Sequence, residues 1–235
     1  RFAVIGDTPY TRYERQELPK LLHALEGEPV DFVVHVGDIK SGGEPCSDAL
    51  FADRFQLFNQ QAHPFVLVPG DNEWTDCHRP ACGGYDPQER LEALRHVFFA
   101  NPEHSLGQQK INLFSQSTSL QYREFKENLR WTLSATDKKI VFISLNLPGS
   151  NNDRGSSVQP TAAYQRRASA NTQWLADGFS EAAQQHASAI VIFIQANPGF
   201  EAYARGQASS GYQAFLDQLY ALSQAFSGHV LLVHG

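Results

Sequence analysis

The chain has 235 residues, of which 42% are hydrophobic and 19% charged, and its formal net charge is −6. That length carries enough apolar side chains for a buried core, and the acidic balance excludes a surface built to grip nucleic acid or an anionic membrane. No apolar run approaches the roughly 18 residues needed to span a bilayer.

Phe2 to Ile5 is a short apolar run closed by Gly6-Asp7. After the turn Thr8-Pro9-Tyr10 comes a helix with Leu18, Leu21, Leu22 and Leu25 on one face, Pro19 near its start and Gly27 at its stop. Phe32 to Val36 then ends in Gly37-Asp38, which completes a βαβ unit with a right-handed crossover. The loop Ser41 to Cys46 leads to a second helix that turns Leu50, Phe51, Phe55 and Phe58 inward. A third run, Phe65 to Val68, ends in Pro69-Gly70-Asp71, and a long loop follows from Asn72 to Tyr85. Asp86-Pro87-Gln88-Glu89 opens a third helix as a capping box, with Leu91, Leu94, Val97 and Phe98 as its apolar face.

From Ile111 the pattern becomes a meander, with strands expected over 111–114, 120–125, 129–134 and 140–145. The turns Glu127-Asn128 and Thr136-Asp137-Lys138 are short, so these strands should pair antiparallel. A polar loop, Pro148 to Asp153, precedes a helix around Trp174, Leu175 and Phe179. The buried strand Ala189 to Ile194 ends in Gln195-Ala196-Asn197-Pro198, and a last helix carries Phe215, Leu216, Leu219, Leu222 and Phe226 before the strand His229 to Val233. The whole reads as a single domain, residues 1–235, with two packed sheets and helices outside.

Asp7, Asp38 and Asp71 each follow an apolar strand, and the C-terminal edge of an open α/β sheet is where ligands bind. One Gly-Asp would be ordinary strand-to-loop chemistry. Three carboxylates brought to one edge repel one another unless a cation lies between them, which points to a metal site.

In order and placement these motifs resemble those of the calcineurin-like metallophosphoesterase superfamily. The matching stretches are Asp7-Thr8-Pro9, Gly37-Asp38-Ile39-Lys40, Gly70-Asp71-Asn72-Glu73 and Gln195-Ala196-Asn197-Pro198. Val233-His234-Gly235 is where a fifth motif begins, so the C-terminal motif is expected to be cut off after Gly235. Asn171 to Leu175 resembles the helix before the fourth motif. The resemblance implies an α/β chain folded as a two-sheet αββα sandwich, which hydrolyses a phosphate mono- or diester by attack of a metal-activated water.

It also implies Asp7, Asp38, Asp71 and Asn197 as metal ligands for one or two divalent ions, Asp38 bridging if there are two. Asn72 and His234 then fall at catalytic positions, and Lys40, Asn146 and Arg154 lie on loops suited to contact a small phosphorylated substrate. Several positions depart from the family pattern. Pro9, Asn72 and Asn197 stand where it has histidines, Asp71 where it has asparagine, and the second motif carries Lys40 rather than a further acid. The remaining oxygen-rich ligand set favours Mn or Mg, with Fe, Zn or Ca as alternatives. Asn72 can donate a hydrogen bond but cannot transfer a proton at a useful pKa. For His35, His78 and His234 a hydrogen-bonded structural role is the plainer expectation, with His234 also the candidate acid.

The competing reading is a fold that has lost catalysis and binds a phosphorylated ligand or a protein partner. Cys46 and Cys77 follow Asp38 and Asp71 in neighbouring loops, so a Cys46–Cys77 disulfide is geometrically reasonable, with Cys77–Cys82 as its rival. A disulfide would fit a periplasmic or secreted protein; a cytoplasmic location is the alternative.

Overall fold

Three short strands, β1 (Ala3–Ile5), β2 (Val33–His35) and β3 (Phe65–Leu67), lie side by side and parallel in that order. The register pairs Ala3 with Val33 and Val33 with Phe65. This is a computed structural model, and it describes every residue except 136–137, 156, 158 and 208–210. The chain divides into two compact units, Arg1–Leu113 with Gly235 and Phe114–His234, each built around its own sheet. It is thus a mixed α/β chain with two sheets and several helices.

In the first unit β1 is joined to β2 by α1 (Arg12–Glu26), and β2 to β3 by α2 (Asp48–Asn59). Thr11 and Glu14 close a reciprocal capping box at the start of α1, and Gly27 caps its end. Pro19 lies in the middle of α1 rather than near its start, on the exposed side, where the hydrogen bond it cannot donate is lost at the solvent face. Leu18 and Leu22 are the buried residues of α1, while Leu21 is exposed. After β3 the loop makes two 3-10 turns, Thr75–His78 and Pro80–Cys82, before α3 (Pro87–Phe98), which Asp86 caps through the Gln88 and Glu89 amides. Leu91, Leu94 and Phe98 of α3 are buried with Phe51 and Phe58 of α2, and Phe51 and Phe98 meet edge to face.

The second unit holds a five-stranded sheet in the order β4 (Phe114–Ser115), β5 (Leu129–Ala135), β6 (Lys138–Ser144), β7 (Ala189–Phe193), β8 (His229–Val233). The first three strands are antiparallel as the meander pattern implies, and β6, β7 and β8 are parallel. The strand expected over 120–125 does not form. There the amides of Tyr122 and Phe125 bond back three residues to Ser119 and Tyr122, a run of tight turns that buries both rings against Ala170. Alternating apolar residues in this stretch therefore feed a turn cluster, not a pleat, and the 111–114 strand shrinks to Phe114 and Ser115. Of the expected turn at Thr136-Asp137-Lys138, Thr136 and Asp137 lie outside the described residues.

Between β6 and β7 come a short left-handed turn, α4 (Gly149–Asn152), and the long α5 (Ala162–Gln184); α6 (Phe200–Ala204) and α7 (Gln213–Ala225) follow β7. Val141, Ile143, Ile190 and Ile192 on one face of the sheet join Trp174, Leu175, Phe215 and Leu219 of α5 and α7 in a single core. Trp131, Phe142 and Phe193 stack on the other face. Among the described residues no helix is long and apolar enough to cross a membrane.

His35 is a titratable residue of the core. His35 on β2 is fully buried beside Phe58 and Phe65; its Nε2 donates to the Thr8 carbonyl at 3.0 Å and its Nδ1 accepts from the Gly37 amide at 3.2 Å. Both bonds require neutral imidazole, and burial lowers its pKa to about 4. Below about pH 6.5 the unfolded chain takes up a proton that the folded chain refuses, so stability falls as pH drops from about 6.5 to about 4. His35→Gln is expected to remove roughly 3 kcal/mol of that acid sensitivity. Urea titrations from pH 4 to 7 check it, and parallel pH slopes in the two proteins would contradict it.

Candidate active site

Parallel strands put their C-terminal ends on one edge, so Asp7 after β1, Asp38 after β2 and Asp71 after β3 emerge together. Asp7 and Asp38 both have left-handed backbone, with φ of 53° and 60°, which swings each carboxylate out of the strand direction. Asp7 is exposed, Asp71 half-buried and Asp38 buried. Gly70 lets the third strand end come close, because a Cβ there would press into the Asp38 amide and carboxyl.

The three carboxylates are brought together. Asp71 hydrogen-bonds the Asp38 side chain, and the Tyr10 hydroxyl lies 2.7 Å from Asp7 Oδ1 and 3.0 Å from Asp38 Oδ2. A phenol has one proton to share between these two contacts. Asp38 is the more buried of the two carboxyl groups. Burial, then the charges of Glu73 and Asp71, hold its pKa well above the usual carboxylate range. The Tyr10 hydroxyl is raised in turn, chiefly by burial and then by its bond to Asp7.

Two buried residues surround this group. Glu73 is fully buried and its Oε1 accepts from the Gly70 amide at 2.5 Å and the Asp38 amide at 3.2 Å, pinning the second and third strand ends together. Burial raises Glu73 above its ordinary range. Lys40 is also fully buried, with Nζ donating to the Ser41 carbonyl at 2.8 Å. Burial lowers its pKa, and nearby Glu73 and Asp38 are among the anionic groups that oppose that. Lys40 was expected on a loop facing substrate; its ammonium instead sits inside the site as a counter-charge, because the loop folds its stem into the core.

Asn72 is buried, and both of its amide hydrogens are engaged. Nδ2 donates to the Lys40 carbonyl at 3.1 Å and to Tyr10 Oη at 3.3 Å, while the Asn72 backbone amide donates to Asp38 Oδ1 at 3.1 Å. A disulfide links Cys46 and Cys77, as the spacing suggests, and both sulfurs face the Asn72 carbonyl, at 3.5 and 3.7 Å. Cys82 is free, buried, and hydrogen-bonded to the Gly42 carbonyl. His78 is tied to the Thr75 carbonyl at 2.7 Å, a structural role like that of His35.

The remaining expected site residues belong to the second unit. Asn146, Asn197 and His234 follow the parallel strands β6, β7 and β8 and so share the C-terminal edge of that sheet. Asn146 is fully buried in an amide network, donating to Glu127 Oε1 at 3.0 Å and accepting from Asn171 through its carbonyl at 2.9 Å. Asn197 is exposed, and its Oδ1 accepts from the Gly199 amide at 3.0 Å. His234 is exposed, with its ring 6.3 Å from that of Phe200. Arg154 is half-buried and donates to the Ser157 carbonyl at 3.1 Å.

Among the described residues no three His, Cys, Asp or Glu side chains form a ready-made ion cage. The donor chemistry nonetheless fits a hard divalent ion. Asp7 and Asp38 aim oxygens at the same hydroxyl position, Asp71 adjoins Asp38, and the Lys40 ammonium lies near Glu73 and Asp38. Sequence reading missed Tyr10 and Glu73. Tyr10 sits three residues after Asp7 in the same loop, which is the one signal that could have drawn attention to it.

A family model described as calcineurin-like phosphoesterase matches residues 1–231. No curated protein matches the chain. Among solved structures the NAD nucleotidase of Haemophilus influenzae is similar at 16% identity and a TM-score of 0.38, over 79% of this chain and 29% of that one. The chain therefore spans less than a third of that protein's length. With the family model covering all but its last few residues, the chain belongs to the calcineurin-like phosphoesterase family.

Proposed function

We propose that residues 1–235 form one metallophosphoesterase-like domain that hydrolyses a phosphate mono- or diester with the help of a divalent cation, Mn or Mg. The observation that carries this reading is the convergence of Asp7, Asp38 and Asp71 at the end of three parallel strands, with Asp7 and Asp38 on the Tyr10 hydroxyl and Asp71 on Asp38. Those three carboxylates would hold the ion. When bound, such an ion polarises a phosphoryl oxygen and lowers the pKa of a water for in-line attack.

The residues of the chain do the rest. Glu73 fixes the Asp38 and Gly70 backbones, so the carboxylates of the second and third strands keep their spacing. Lys40 limits the repulsion among them. Asn72 holds Tyr10 in place through its amide. The Cys46–Cys77 disulfide supports a location in an oxidising compartment, periplasmic or secreted.

Hydrolysis of nitrophenyl phosphate and bis(nitrophenyl) phosphate by chelator-treated protein, with and without added Mn or Mg, tests the reading. Metal-dependent turnover that Asp38→Asn abolishes is the expected result, together with calorimetric binding of Mn that the same substitution weakens. One observation favours a second reading, a binding protein for a phosphorylated ligand: the Tyr10 hydroxyl already fills the space between Asp7 and Asp38. Absence of turnover with either ester and either metal would select it.

A further inference from the structure

Beside the aspartate cluster lies a cleft of about 490 Å³, and Tyr10 and Ser41 form part of its wall. Tyr10 is the residue whose hydroxyl touches Asp7 and Asp38, so the cleft adjoins the candidate centre directly. Its volume lies within the range of small-molecule sites. What distinguishes it is its guanidinium content. Arg12, Arg15 and Arg54 all line it, against Glu44 as the acidic lining residue.

The arginines are not equivalent. Arg15 is committed to Asp53 through a two-point pair, its Nε donating to Oδ2 at 2.9 Å. Arg54 is buried, donates to the Ile39 carbonyl at 2.8 Å, and pairs with Asp53 and, at 3.6 Å, with Glu44. These two form a neutralised, rigid wall. Arg12, at the first position of α1, is exposed and has no ion pair among the described residues. Among the described residues it is the one cation of the cleft left over for a ligand.

We propose that this cleft receives a second phosphate group of the substrate, with Arg12 as the residue that contacts it. The inference rests on the hydrolase reading only for the placing of the first phosphate at the aspartates. A guanidinium matches phosphate geometry and is always charged, so a free arginine beside a phosphoester centre discriminates in favour of a doubly phosphorylated compound. Lys40 does not play this part, since its ammonium is buried on the Ser41 carbonyl.

The test compares propane-1,3-diol bisphosphate with propyl phosphate, which differ only by the second phosphate, in calorimetric titrations of the whole chain with Mn present. The bisphosphate is expected to bind roughly tenfold tighter or better. Arg12→Ala should collapse the ratio of the two affinities, and Arg12→Lys should recover part of it. Equal affinities in the native protein, or a ratio that survives Arg12→Ala, would overturn the proposal. Nitrophenyl phosphate turnover separates the two ideas. A bisphosphate preference without turnover keeps the cleft and removes the hydrolase, whereas turnover without the preference does the reverse.

Discussion

Alkyl phosphates are expected to be hydrolysed roughly 10²–10⁴-fold more slowly than nitrophenyl phosphates, a gap set by the missing general acid. Departure of an alkoxide needs a proton, while an acidic phenol leaves with little help. By the motif resemblance Asn72 stands where the family has a histidine, and both of its amide hydrogens are already given to the Lys40 carbonyl and Tyr10. It neither carries a transferable proton nor has a free N–H for the leaving oxygen. Tyr10 does not replace it, because burial and two carboxylates hold its hydroxyl proton in place. The shortfall corresponds to about 3–5 kcal/mol of barrier. Rates measured against leaving-group pKa should therefore fall steeply in the native protein and less steeply in Asn72→His. A shallow native dependence would mean that another acid already supplies the proton.

Loss of the Cys46–Cys77 bridge is the second large effect. The two cysteines are separated by 31 residues, and the chain-entropy relation gives about 3–4 kcal/mol for a loop of that size. Both sulfurs pack against the Asn72 carbonyl, so the bridge also braces the third strand end where it meets the second. The double variant Cys46→Ser/Cys77→Ser is the cleaner probe, since a single replacement leaves Cys82 as a thiol that could re-pair. Urea unfolding should show the double variant destabilised by that amount and Cys82→Ser changed far less. A double variant within about 1 kcal/mol of the native protein would show that the loops are held by their packing alone.

Most of the frame could be read from the chain. Strand after strand ending in Gly-Asp marked the functional edge, because a buried parallel strand is a short apolar run and its loop starts where polarity returns. Helix faces, the Asp86 cap and the disulfide followed from local patterns of the same kind. The 120–125 segment misled because its apolar residues Leu120, Tyr122 and Phe125 read as a strand, whereas turns bury Tyr122 and Phe125 and leave Leu120 exposed. Tyr10, Glu73 and Arg12 were not legible for a different reason. Each acts on groups distant in sequence: Tyr10 on Asp38, Glu73 on the Asp38 amide, Arg12 on a cleft shared with residues of α2. Spacing along the chain carries no record of such meetings. Lys40 shows the converse, a charged loop residue whose ordinary fate is solvent but whose stem is buried here.

The left-handed backbone of Asp7 and Asp38 restricts how this site can change over time. For most side chains that conformation costs on the order of 1–3 kcal/mol, and aspartate, asparagine and glycine are the residues that hold it with least strain. A lineage losing its chemistry would thus drift through Asn or Gly at positions 7 and 38 well before Ala, Val or Leu. The fold would outlive the reaction with its strand ends unmoved. Relatives with Asn or Gly at these two places are accordingly the ones to assay first as retired enzymes, and relatives with a branched residue there should have rebuilt the loop itself.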